Sequence, residues 1–65
     1  MSNLDKTKEW VEEFQHFHGD PEQADDYLDA RHMRIASVSI IQFARDMGHI
    51  TLEDYTELLA HFYPS

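Results

Sequence analysis

Two glycines and two prolines are the only strong helix breakers among 65 residues, and their positions decide how the chain can be cut into elements. In His18-Gly19-Asp20-Pro21 a glycine suited to a left-handed helix end is followed by an N-cap aspartate and a proline favoured at a first helical position. In Met47-Gly48-His49-Ile50-Thr51, Gly48 ends one helix and Thr51 caps the next. Asp54 then completes an acidic variant of the capping box, and Ile50 and Tyr55 occupy the hydrophobic-staple positions. Pro64 closes the last segment. No linker separates these pieces, so residues 1–65 read as a single acidic helical domain.

The segments carry helical periodicity. Trp10, Val11, Phe14 and Phe17 recur at i, i+1, i+4 and i+7, which predicts a helix over about residues 4–17 with this stripe in the core. Leu52, Tyr55, Leu58, Leu59 and Phe62 predict a second amphipathic helix over 52–62. Between them, Pro21 to Met47 is uninterrupted, yet its pattern changes near Arg31. The early part has only Ala24, Tyr27 and Leu28 to bury. The later part places Met33, Ala36, Ile40, Phe43, Ala44 and Met47 on one side and Ile35, Val38 and Ile41 on another. A strand over 35–41 alternates poorly, since Ser37 and Ser39 share a face with Ile35 and Ile41, and it has no strand to pair with. The expectation is an all-α fold, a small bundle of three to four helices over about 4–17, 21–30, 33–47 and 52–62. The middle two meet near residues 30–33 or run on as one long or kinked helix.

So short a chain removes only about 60% of its unfolded surface from water. Without cysteine it has neither disulfides nor thiolate metal sites, and good packing or partner chains must supply stability. Absent cysteine also fits a reducing, cytoplasmic setting. No stretch approaches the roughly 18 apolar residues of a membrane helix, and Met1 to Lys6 form neither an apolar run nor a basic leader, so a soluble protein is expected. A central helix apolar on two sides needs cover on both. Either its neighbours wrap it completely, or Ile35, Val38 and Ile41 face a second copy in a homodimer or a different partner.

Thirteen acids against five Lys and Arg give a net charge of -8, which opposes direct binding to nucleic acid or to an anionic membrane and favours a protein with a basic surface. Nine of the thirteen acids lie at or before Asp29. On a helix, Glu22, Asp25, Asp26 and Asp29 at i, i+3, i+4 and i+7 would share one ridge about 10 Å long, to which Glu12 and Glu13 could add. Its charge density of about one per 2.6 Å is comparable to duplex DNA at about 1.7 Å, so such a ridge could imitate a phosphate backbone. A solvated first turn favoured by the helix dipole accounts for Glu22 and Asp25, but not for Asp26 and Asp29.

Five histidines stand out in so short a chain. Carboxylate-x-x-His occurs at Glu13 and His16, Asp29 and His32, and Asp46 and His49, a spacing that carboxylate-bridged metal bundles use. Those bundles also need inward acids from two further helices. Glu53, Asp54 and Glu57 point away from their own apolar stripe, so no metal or other cofactor is expected. Protonation of all five would move the formal charge from -8 to -3, weakening attraction to a basic partner as pH falls. Catalysis finds no cysteine nucleophile, no glycine-rich phosphate loop and no triad partner for Ser37 or Ser39, so the chain is not expected to be an enzyme. A DNA-reading helix after Gly48 would carry Glu53, Asp54 and Glu57 with no Lys or Arg, and would repel phosphate.

Two functions fit. One is a small acidic binding protein, an inhibitor or modulator, that docks its carboxylate-rich helix face on a basic, nucleic-acid-binding surface of a partner. The other is a helical interaction or assembly subunit that uses its apolar face, with charge serving solubility only. Steep salt dependence marks the first and near-indifference to salt the second.

Overall fold

The computed structural model describes residues 2–64. Three helices account for its regular structure: α1 (Asn3–His18), α2 (Ala30–Asp46) and α3 (Leu52–Phe62). All described regular structure is α-helical, as the periodicity predicts. The bounds of α3 coincide with the expected 52–62, and α1 extends the expected helix by one residue at each end.

Local chemistry explains the ends. Ser2 caps α1 by accepting a hydrogen bond from the Asp5 N–H at 3.1 Å. The α3 capping box is complete: the Asp54 N–H donates to Thr51 Oγ1 at 3.1 Å, and the Thr51 N–H donates to Asp54 Oδ2 at 3.4 Å. Gly48 has φ 74°, the left-handed conformation that glycine adopts without steric cost. Gly19 does not share it, since its φ is -91°. What matters at Gly19 is space: a Cβ there would lie 2.5 Å from the Gln15 carbonyl oxygen.

The expected helix over 21–30 is absent. Residues 19–29 form an irregular loop, and α2 starts at Ala30. Asp20 does accept a hydrogen bond from the Glu22 N–H at 2.9 Å, but the chain then turns twice, with Gln23 N–H on Asp20 O and Asp26 N–H on Gln23 O. Two effects override the helix signal. An isolated helix this short is marginal without a packed face, and this segment has almost no apolar residues to pack. Helical spacing would also crowd four like charges on one ridge. The loop is instead closed at its base by His18, whose carbonyl accepts from the Leu28 N–H at 2.8 Å while its Nδ1 lies 2.8 Å from the Asp26 carbonyl oxygen.

The core is small. Val11, Ile41, Ala44, Ile50 and Leu58 are buried, with Leu4, Ile40, Tyr55, Leu59 and Phe62 packed around them. Two polar residues are also buried: Thr7 donates to the Asn3 carbonyl within α1 at 2.8 Å, and Ser37 accepts from Gln15 Nε2 across the α1–α2 seam at 3.2 Å. The core-facing row of α2 is therefore Ser37, Ile41 and Ala44, which joins one residue from each of the two apolar sides read from the sequence. The expected α1 stripe is only partly core, because Val11 is fully buried whereas Trp10 and Phe17 are 48% and 50% exposed.

Candidate functional site

Contacts fix how the helices face one another. Gln15 meets Ser37, Gly19 lies beside the Met33 side chain, and Trp10 stacks on His49 just past the α2 C-terminus, so α1 and α2 run antiparallel. On the opposite flank of the seam, Arg34 lies over the Tyr63 ring at 5.1 Å and Arg45 over the Tyr55 ring at 4.3 Å, which places α3 there. At about 100° per residue, Arg34, Val38 and Arg45 of α2 and Leu4, Lys8 and Gln15 of α1 share the α3 side. The other side of α2 carries Met33, Ala36, Ile40, Phe43 and Met47, and that of α1 carries Trp10, Phe14 and Phe17. Because the helices are antiparallel, these two rows adjoin as one outer face of the α1–α2 layer.

That face has no cover from α3. Phe43 is 66% and Met47 69% exposed, beside the half-exposed Trp10 and Phe17. The four side chains leave on the order of 400 Å² of surface in water, within the range where the largest patch on a monomer is often functional. The molecule measures 35 × 26 × 17 Å, so its thin direction is about one and a half helix diameters. A layer that thin protects one side of the α1–α2 pair and leaves the other open.

The predicted apolar surface of Ile35, Val38 and Ile41 is not a surface. Ile41 is fully buried in the core, Val38 is half-buried on the α3 side, and only Ile35 is exposed, among polar residues. Each of the two sides read from the sequence gives one residue to the core, Ile41 from one and Ala44 from the other, and the large exposed side chains Phe43 and Met47 lie on the side opposite to the one expected to be open. Phe43, Met47, Trp10 and Phe17 are the residues it missed. The available signal was the row of small residues at Ser37 and Ala44 flanking Ile41, which lets a neighbouring helix approach closely.

The predicted acidic ridge is likewise rearranged. Glu22, Asp25 and Asp26 are exposed on the loop, and Asp29 is the N-cap of α2. Asp29 Oδ1 accepts from the His32 N–H at 2.9 Å and lies 3.1 Å from His32 Nδ1. The hydrogen bond from the His32 backbone is the main cause that holds the Asp29 carboxyl below its ordinary value of 3.8. Glu12 and Glu13 are exposed on α1, with Glu13 and Glu9 along the outer edge of the apolar face and Lys6 as the cation of that edge. Asp46 and His32 border the α2 edge.

Among the described residues, no three histidines or carboxylates converge as a metal site, and no helix is long and apolar enough to cross a membrane. A cavity of about 420 Å³ opens between the starts of α1 and α3, lined by Ser2, Asn3, Leu4, His49, Thr51 and Asp54 among others. The hydroxyls of Ser2 and Thr51 there already serve as helix caps. Compared with protein-family models, with curated proteins and with solved structures, the chain matches none.

Proposed function

We propose that this chain is a small, non-enzymatic binding module that docks on a basic protein as an inhibitor or modulator, using the outer face of α1 and α2 together with the acidic 20–29 loop. The uncovered apolar face carries this reading: an aromatic and methionine surface in a domain with so small a core is better explained by a partner than by packing within the chain. Charge then selects the partner. Two of the three arginines are held over tyrosine rings on the α3 side, while Glu22, Asp25 and Asp26 stand in water on the loop. Apolar contact and charge, read from the sequence as alternatives, act here as parts of one surface. A cytoplasmic setting accords with the cysteine-free composition.

Differential capture tests this reading. Immobilised wild-type chain and the Phe43→Ser/Met47→Ser variant are exposed to the same native lysate at low salt and at about 0.5 M salt. The reading expects a protein held by the wild type and lost both with the variant and in high salt. Retention of the same proteins by both chains overturns it.

A further inference from the structure

We infer that the occupant of the outer α1–α2 face is a basic amphipathic α-helix of the partner protein, an assignment that rests on the interaction reading above and specifies its ligand. Shape argues for a helix. Two antiparallel helices side by side leave a groove along each side of their seam, and α3 already fills one of them with Tyr55, Leu58, Leu59 and Phe62. The other groove is walled by Trp10 and Phe17 of α1 and by Ile40, Phe43 and Met47 of α2, with the short side chain of Ala36 leaving room between them. From Met33 to Met47 it runs about 21 Å, the length of roughly four helical turns. A helix laid there completes a four-helix arrangement, burying its own i, i+3, i+4, i+7 stripe as α3 does opposite.

Charge argues for a basic helix over a second copy. Glu9 and Glu13 edge the groove on α1 and Asp46, whose Oδ1 lies 3.5 Å from Arg45, edges it on α2, against Lys6 and His32. The Asp20–Asp29 loop lies at the end where α1 finishes and α2 begins. A second copy would bring the same acidic border and a further net charge of -8 to the contact. A helix with Lys and Arg along its polar flanks would meet those carboxylates while its apolar stripe meets Phe43 and Met47.

The test uses two synthetic Leu/Lys peptides of equal composition and about 18 residues, one with leucines at helical-face spacing and one scrambled. Each is titrated calorimetrically into the full chain. We expect the amphipathic peptide to bind about tenfold or more tightly than the scrambled one, and the Phe43→Ser/Met47→Ser variant to lose about tenfold. Asp25→Asn/Asp26→Asn should lose about threefold and flatten the salt dependence. Both apolar substitutions are at exposed positions, and circular dichroism verifies that the variant folds. Equal affinity for the two peptides, or undiminished binding by the apolar variant, overturns the inference. So does a concentration-dependent dimer of the chain alone that Phe43→Asp abolishes, because the occupant is then a second copy. If a captured protein depends on this face while the two peptides bind alike, the helical occupant falls and the interaction reading stands. If the face variant retains every captured protein, both fall.

Discussion

Gln15 of α1 donates from Nε2 to the fully buried Oγ of Ser37 on α2 at 3.2 Å, a side-chain bond across the seam of the molecule. The same amide reaches the Tyr63 hydroxyl at 3.5 Å, so one half-buried side chain touches all three parts of the bundle. Gln15→Ala leaves the Ser37 hydroxyl without this partner and should cost about 1–3 kcal/mol in urea unfolding. Ser37→Leu forces a larger side chain between α1 and α2 and should cost a similar amount through overpacking. Ser37→Ala should cost less than Gln15→Ala, because the half-buried amide can turn to water.

The two glycines are required for different reasons, and asparagine separates them. Gly48 needs a left-handed backbone with open space around it, so Gly48→Ala should cost about 1 kcal/mol and Gly48→Asn less, since asparagine tolerates that conformation. Gly19 has an ordinary φ, but any Cβ meets the Gln15 carbonyl oxygen. Gly19→Ala and Gly19→Asn should therefore both lower the thermal midpoint, with no rescue by asparagine. Equal behaviour of asparagine at the two positions would contradict this distinction.

Acid should act on the α2 N-cap. The Asp29 carboxyl is held below 3.8 chiefly by the His32 backbone N–H, so its ionised form stabilises the fold. A depressed folded pKa gives a contribution that is complete above the unfolded value near 3.9 and disappears as pH falls through the folded value. Asp29→Asn keeps a side-chain acceptor and removes the charge. Wild type should thus exceed Asp29→Asn in thermal midpoint at about pH 5, and the gap should shrink as pH falls below about 4. A gap that widens on acidification would contradict the assignment.

The sequence made the helical class legible because α1 and α3 combine periodic apolar residues with sharp ends, and the Thr51–Asp54 box appears as the spacing predicts. Residues 21–29 misled because Asp20 and Pro21 are a valid helix start, although the segment offers only Ala24, Tyr27 and Leu28 to bury. The open face was hidden for a related reason. Ile35 and Val38 flank Ser37, Ile41 and Ala44 on one side and Met33, Ile40, Phe43 and Met47 on the other, and hydrophobicity alone cannot say which side α3 covers. That choice accompanies the turn at Gly48 and the seating of Arg34 and Arg45 on Tyr63 and Tyr55.

Trp10, the sole tryptophan, lies on the open face with its ring 5.0 Å from that of His49, and so reports on occupancy of the groove. Its emission should shift to shorter wavelength as the tryptophan-free amphipathic Leu/Lys peptide is added, saturating together with the heat of binding. The Phe43→Ser/Met47→Ser variant should show no such shift at the same peptide concentration. Saturating heat with unchanged Trp10 emission in the wild type would contradict the account, because the peptide would then be held somewhere other than the α1–α2 face.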